Sequence, residues 1–137
     1  MALGLAATLS CAALALGAKP VPHTRYSGPL HGLRTERVTF RVDKRGKTVT
    51  GFKVTPYFPN ACGSGGPPPT YRSKRATIKH GRFRTSVSVI NSGGNRVPAG
   101  KAHGRFLSNG RERGSVKPVD VPARCVKSFP YTTKAKG

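Results

Sequence analysis

Within residues 36–42, the side chains from Arg37 to Val42 alternate strictly between polar and apolar, and this pattern constrains the fold of the chain most. The apolar positions Val38, Phe40 and Val42 fall on one side of an extended backbone, and the positions between them fall on the other. Alternation with a period of two is typical of a β-strand that buries one face. The sequence therefore predicts a domain whose strands cover a shared core.

A second strand is expected to return along the first. Residues 43–46, Asp-Lys-Arg-Gly, are typical of a turn in which the glycine supplies a positive φ. The returning segment 48–55 changes its apolar parity, so we predict a bulge at Thr50–Gly51. This bulge would bring three apolar side chains to one face: Val49, Phe52 and Val54.

Later segments repeat this organisation. Residues 75–79 and 82–90 are predicted to form a hairpin around the loop His80–Gly81, with Ile78 opposite Phe83. Shorter candidate strands follow at 102–108, 114–117 and, at a sheet edge, 119–125. The 17 Gly and 12 Pro residues disfavour a helical bundle. We predict an all-β domain, a small antiparallel β-sandwich or open barrel, preceded by an apolar leader helix.

Residues 1–18 carry no charged side chain, and all 25 Lys and Arg residues follow them. An apolar run that ends in small residues is typical of a secretory leader, so we expect a signal peptide and a secreted protein. Cleavage before or after Ala18 fits the small residues. An uncleaved anchor, a buried helix and a lipoprotein attached at Cys11 are the alternatives. The rest of the chain is expected to comprise an extended segment at 19–34, a basic antiparallel β-domain at 35–130 and a flexible tail at 131–137.

Removal of the leader leaves two cysteines, Cys62 and Cys125. An even number of cysteines in an exported chain indicates a disulfide, which here would close a loop of roughly 60 residues and contribute about 4 kcal/mol. Metal binding and free thiols are the alternatives. Two isolated cysteines without a Cys-x-x-Cys pair are a poor zinc signal.

An alternating strand, two strands that begin Gly-x-Phe and two cysteines make up a recognisable layout. The residues that carry it are Val38-x-Phe40-x-Val42, Gly81-x-Phe83, Gly104-x-Phe106, Cys62 and Cys125. This layout resembles that of small exported β-domain proteins of actinobacteria over about residues 26–130. The resemblance implies an antiparallel β-domain with a disulfide, and it implies no activity and no functional residue.

Carboxylates are too few for most acid–base chemistry. The four are Glu36, Asp43, Glu112 and Asp120. Glycoside hydrolysis normally needs two of them beside the bond. We expect Asp43 in the hairpin turn and Glu112 as a charge partner of its two arginine neighbours. Three of the four histidines precede Gly, as turn residues do, and none shows metal-ligand spacing. We therefore expect a protein that is not an enzyme and that needs no cofactor and no metal.

The basic residues are the strongest functional signal, because the formal net charge of +21 indicates an anionic partner. Ten of them fall at outward strand positions, turns and loops and form the predicted polyanion-binding site: Arg37, Arg41, Lys44, Arg45, Lys47, Arg72, Lys74, Arg75, Arg82 and Arg84. The expected partner of this monomer is an anionic polymer or an anionic membrane or cell-wall surface. Nucleic acid is expected to bind only nonspecifically. The alternatives are a surface that is basic only through compositional bias, a nucleic-acid-binding basic module and a small secreted enzyme.

Overall fold

Eight antiparallel strands form a closed barrel in the computed structural model, which describes residues 17–56, 69–119 and 128–136. The strands are β1 (Thr24–Leu30), β2 (Leu33–Val42), β3 (Thr48–Val54), β4 (Tyr71–Thr77), β5 (Arg82–Ile90), β6 (Arg96–Phe106), β7 (Arg111–Pro118) and β8 (Phe129–Lys136). Each strand pairs with its neighbours in sequence, and β1 pairs with β8 to close the sheet. The described ranges contain no helix, so the all-β prediction is confirmed for them.

Closure of the sheet corrects the prediction of a sandwich or open barrel. The strands that close it lie in the predicted extended segment 19–34 and the predicted flexible tail 131–137, where the structure has β1 and most of β8. Their register places Arg25 opposite Lys136 and Tyr26 opposite Ala135. A Cβ at Gly28 would overlap the backbone of β8. The contact between these two strands therefore depends on a glycine, which lowers strand propensity in a sequence.

The predicted bulge is confirmed at Gly51, whose φ is +63°. The register between β2 and β3 shifts between Thr39 and Arg41, so one residue of β2 faces two of β3. As a result, Val49 and Phe52 both lie in the barrel interior, each 1% exposed. A glycine is needed here because side-chain-bearing residues rarely adopt a positive φ.

The predicted two-residue loop at His80–Gly81 is also confirmed, although the strand before it is β4 (Tyr71–Thr77) and not residues 75–79. Lys79 and Arg82 exchange two backbone hydrogen bonds of 2.8 and 3.0 Å, which leaves a two-residue loop. Both loop residues have a positive φ, 53° at His80 and 71° at Gly81, as a type I′ turn requires.

Aromatic rings fill the middle of the barrel. Tyr26 stacks on Phe40 with a centroid distance of 5.1 Å, and Phe40 contacts Phe83 at 5.6 Å. The cluster comprises Tyr26, Phe40, Phe52, Phe83, Phe106 and Tyr131. An eight-stranded barrel is just wide enough for side chains to fill, so its interior is a packed core and the outer face is the surface available for binding.

The segment 17–23 runs across one end of the barrel. Ala18 N–H donates to the carbonyl of Phe106 at 2.8 Å, and Val21 N–H donates to the hydroxyl of Tyr26 at 2.9 Å. Residues 1–16 of the predicted leader lie outside the described residues, and no helix within the described ranges is long and apolar enough to cross a bilayer. The leader and its cleavage stay predictions.

The predicted disulfide also falls outside the described residues, because Cys62 lies in 57–68 and Cys125 in 120–127. These two segments connect β3 to β4 and β7 to β8. Strand direction alternates around the barrel, so both segments leave it at the same end. The Cys62–Cys125 disulfide stays a prediction.

Candidate polyanion-binding surface

All ten residues of the predicted site are exposed on the outside of the barrel. The structure divides them into three groups instead of one patch. The groups are the β2–β3 turn with Lys44, Arg45 and Lys47; the outer face of β2 and β4 with Arg37, Arg41, Arg72, Lys74 and Arg75; and β5 with Arg82 and Arg84.

The β2–β3 turn is held by the carboxylate of Asp43. Its Oδ1 accepts hydrogen bonds from the backbone N–H groups of Lys47 at 2.8 Å and Thr48 at 3.2 Å. The bond from Lys47 is the main reason that the pKa of Asp43 lies below its ordinary value of 3.8. The predicted turn role of Asp43 therefore has a structural basis, and three cations project around it.

Cross-strand register aligns cations from neighbouring strands. Lys136 lies opposite Arg25, Arg25 opposite Arg41, Arg41 opposite Thr50, and Thr50 opposite Arg75. We call these five residues the transverse row. Neighbouring strands are about 4.8 Å apart, so the row extends about 19 Å across five strands. It joins two predicted residues, Arg41 and Arg75, to Arg25 and Lys136, which were not predicted.

Direct pairs of like charge occur all around the barrel. The seven pairs within the strands are Arg25–Arg41, Arg25–Lys136, Lys53–Arg72, Arg82–Arg105, Arg105–Arg113, Lys101–Lys117 and Arg111–Lys134. All of these side chains are exposed. Like charges directly opposite one another are destabilising, and in the described strand registers no Asp or Glu faces a cation. Anions that bind the outer face would therefore reduce this repulsion and stabilise the barrel.

A depression of about 240 Å³ lies on this face where β1, β2 and β3 meet. Its lining consists of Arg25, Thr39, Phe40, Arg41, Thr50 and Gly51. The bulge at Gly51 creates it, because that exposed position has no side chain. We call it the β2–β3 depression.

Glu112 corrects the expectation of a surface charge partner. Its side chain is fully buried, with Oε2 accepting a hydrogen bond from the Tyr131 hydroxyl at 2.8 Å and Oε1 accepting one from Thr133 at 2.6 Å. Burial raises the pKa of Glu112 to about 8. Arg111 and Arg113 point outward from the same strand, β7, which the sequence assigned in part to a loop.

The remaining polar candidates are dispersed. His80 lies in a turn, but His103 lies within β6, where Nε2 is 3.3 Å from the Ser115 hydroxyl; its predicted turn position is wrong. His31 Nε2 is 2.8 Å from the Thr132 hydroxyl. Within the described ranges, no three His, Cys, Asp or Glu side chains come together as a metal site.

Alternation along single strands could identify outward residues, but it could not identify their cross-strand partners. The predicted site therefore lacks the cations of β1, β6, β7 and β8 and the single cation of β3, although Arg111 and Arg113 stood out in the sequence as a basic loop cluster. The cations that it lacks are Arg25, Lys53, Arg96, Lys101, Arg105, Arg111, Arg113, Lys117, Lys134 and Lys136. Their signal in the sequence is basic residues at every second position, as in Arg111-Glu-Arg113, and it is decisive only once the register is known.

Removal of one cation that faces two others is expected to stabilise the barrel at low salt. Arg105 lies between Arg82 and Arg113, whereas Arg96 on the same strand lies opposite Ile90. We expect Arg105→Gln to increase stability by about 1 kcal/mol in dilute buffer, a rise in Tm of about 4 °C, and Arg96→Gln to do much less. Calorimetry in 20 mM and 1 M NaCl measures both variants. Equal shifts for the two variants, or a difference that persists in 1 M NaCl, would contradict the like-charge account.

No family model, curated protein or solved structure matches this chain. The resemblance to small exported β-domain proteins of actinobacteria stays a prediction. The function therefore has to be argued from the residues of the barrel itself.

Proposed function

We propose that this protein is a non-catalytic binding module that associates electrostatically with anionic polymers of the cell envelope or the extracellular space. One observation carries the proposal: seven pairs of cations face each other directly across the strands of one closed barrel. Such an arrangement costs stability in the free protein. A polymer with repeated negative charges would remove that cost along a whole row at once.

The predicted leader supports a partner outside the cytoplasm. If residues 1–18 direct export, the barrel reaches compartments that hold anionic wall polymers, anionic lipid surfaces and acidic exopolymers. The barrel would act as a rigid cationic scaffold there, since its charged side chains project from paired strands on all sides.

Nucleic acid is the alternative partner, and the position of the aromatic rings argues against a dedicated site for it. Single-strand binding proteins stack bases on exposed aromatic side chains. Every Phe and Tyr within the described ranges is buried instead, including Tyr71 and Phe129. The outer face would bind nucleic acid through its phosphates alone, without reading bases.

An enzymatic role has little support from Asp43 and Glu112, two of the described carboxylates. Glu112 is enclosed by the hydroxyls of Tyr131 and Thr133, and Asp43 is engaged by the backbone of the β2–β3 turn. Neither lies in the β2–β3 depression. The chemistry offered by the outer face is charge and hydrogen-bond donation, which suits binding.

Retention on immobilised polymers tests the proposal. We expect the protein to bind poly(glycerol phosphate), polyuronate and anionic vesicles in 50 mM NaCl, with log K falling linearly and steeply as log salt rises. Neutral dextran and neutral vesicles serve as controls. No retention on any anionic material in 50 mM NaCl would refute the proposal, as would equal retention on neutral dextran. Binding to single-stranded DNA far tighter than to polymers of equal charge density would replace it with the nucleic-acid alternative.

A further inference from the structure

We propose that the β2–β3 depression is a discrete site for one tetrahedral oxyanion, a phosphate or sulfate group carried by the bound polymer. The inference rests on the proposed function and gives it a chemical preference. It distinguishes one place on the outer face from the general field of positive charge.

The shape of the site follows from the bulge. Gly51 has a φ of +63°, and a Cβ built at this position would meet nothing within 4 Å. The outer face therefore has open space where a regular strand would present a side chain. The register shift between Thr39 and Arg41 offsets the residues of β3 around this space by one position along the strand.

The lining supplies donors suited to an oxyanion. Arg25 and Arg41 lie directly opposite each other, so two guanidinium groups flank the same space. Thr39 and Thr50 add hydroxyl groups that are half-buried, and no carboxylate is among the lining residues. Guanidinium groups donate paired hydrogen bonds to phosphate or sulfate oxygens. The hydroxyl groups can donate to the remaining oxygens.

Charge density alone does not select this site. The pairing Arg82–Arg105–Arg113 places three cations in a row on β5, β6 and β7, and the register is regular there. That row continues to Thr132 opposite Arg113, but the Thr132 hydroxyl lies 2.8 Å from His31 Nε2, and no bulge opens space beside these cations. It is a matched control, because two of its arginines can be removed with the same change in net charge as at Arg25 and Arg41.

Titration with sodium sulfate and sodium phosphate at constant ionic strength, followed by amide chemical shifts, tests the site. We expect saturable shifts centred on Gly51 and Arg41, with a dissociation constant in the millimolar range. Thr50→Val leaves the net charge unchanged and should weaken binding about fivefold or more, and Thr39→Val should act in the same direction. The exposed hydroxyl of Thr77 lies outside the depression, so Thr77→Val should leave the affinity within about twofold.

Two double variants, each lacking two positive charges, distinguish binding at the β2–β3 depression from attraction by the whole basic surface. The double variant Arg25→Gln and Arg41→Gln should abolish saturable binding of sulfate. The double variant Arg82→Gln and Arg113→Gln should leave it within about twofold. If the two double variants weaken sulfate binding equally, or if wild-type shifts are unsaturable and spread over all cationic rows, the discrete site is refuted.

Polymer competition decides the chemical preference and keeps the two proposals apart. Polyphosphate should displace sulfate from the depression at lower charge concentration than polyuronate of equal length, because its groups are tetrahedral. Equal displacement by the two polymers would overturn the tetrahedral preference. Retention of the protein on anionic polymers without a saturable sulfate site would refute this inference alone, whereas absence of retention would refute the proposed function as well.

Discussion

Glu112→Gln is expected to make the stability of the barrel nearly independent of pH between about 4.5 and 8, an interval in which the wild-type barrel loses a few kcal/mol. The reason is the position of this carboxyl group in the interior. It is fully buried, and its partners are two hydroxyl groups, those of Tyr131 and Thr133, with no cation among them. Burial disfavours the charged form.

The direction of the effect follows from proton binding. The pKa of Glu112 is about 8 in the folded barrel and 4.5 in its ordinary state, so the unfolded chain releases this proton first. The stability associated with the protonated group is complete below pH 4.5. It decreases as pH rises through the interval, by at most about 1.4 kcal/mol per pH unit, and levels off above the folded pKa.

The other three groups with shifted pKa values do not obscure this behaviour. Asp43 has a pKa below 3.8, and the stability it contributes is lost only as pH falls through that lower range. Tyr131 and Tyr26 have pKa values raised above 10 by burial, so both stay neutral throughout the interval. With only 4 Asp and Glu residues in the chain, one buried carboxyl can dominate the pH profile.

Chemical denaturation of the wild type, Glu112→Gln and the control Asp43→Asn from pH 4.5 to 8.5 measures the effect. The Glu112→Gln variant should be more stable than the wild type at pH 8 and no more stable at pH 4.5. The Asp43→Asn variant should lose stability by a constant amount across the interval, because the turn bonds of Asp43 do not titrate there. If the stability of the wild type and that of Glu112→Gln changed in the same way with pH, the buried carboxyl group of Glu112 would not be the source of the pH dependence.

The parts of the fold that were predictable are those in which local pattern agrees with tertiary position. Val38, Phe40 and Val42 alternate and point inward, and the turn glycine Gly46 has a φ of +70°. The bulge at Gly51 was predictable because one extra residue in a strand shifts its apolar parity, and a glycine stands where the parity changes. These features depend only on residues close in sequence.

Closure of the barrel was not predictable, because its evidence lies in pairs far apart in sequence. β8 contains Thr132-Thr-Lys-Ala-Lys136, which lacks an apolar face. It is held because Thr133 and Tyr131 bond Glu112 across the β7–β8 pairing. The inward residues of the strand are Phe129, Tyr131, Thr133 and Ala135, and its last part resembles a tail because Thr133 is polar and its buried partner is distant in sequence.

Pairing between residues far apart in sequence also explains why the outer surface was predictable only in part. Exposure of the ten predicted cations followed from alternation for Arg37, Arg41, Arg82 and Arg84 and from turn or loop positions for the other six, whereas the transverse row and the like-charge pairs needed the register. Glu112 sits between Arg111 and Arg113 in sequence, and a count of charges along the chain would let it offset one of their two positive charges. Its side chain turns inward, so both arginines stay without that counter-charge.

Gly104→Ala is expected to destabilise the barrel by about 3 kcal/mol or more, since overpacking of a buried site forces side chains off their preferred positions. A Cβ at residue 104 would overlap Oε2 of Glu112 and the ring of Phe83. Gly104 lies opposite Gly114, where a Cβ would overlap the Tyr131 hydroxyl. These two glycines leave the space that the buried carboxyl group and its tyrosine partner occupy.

A double-mutant cycle, with a Gly→Ala change in the β5–β6 loop as a control, separates this account from a general cost of replacing glycine. Gly93→Ala is the control, because its Cβ would make only ordinary contacts of 3.4 and 3.6 Å with Asn91 and Asn95. Unfolding measured at pH 5 should show that Gly104→Ala costs less free energy in a Glu112→Ala background than in the wild type, since the carboxyl group that it overlaps is then absent. Phe83 still obstructs the added methyl group, so part of the cost should remain. Strict additivity with Glu112→Ala, or a cost equal to that of Gly93→Ala, would mean that Gly104 does not make the space for Glu112.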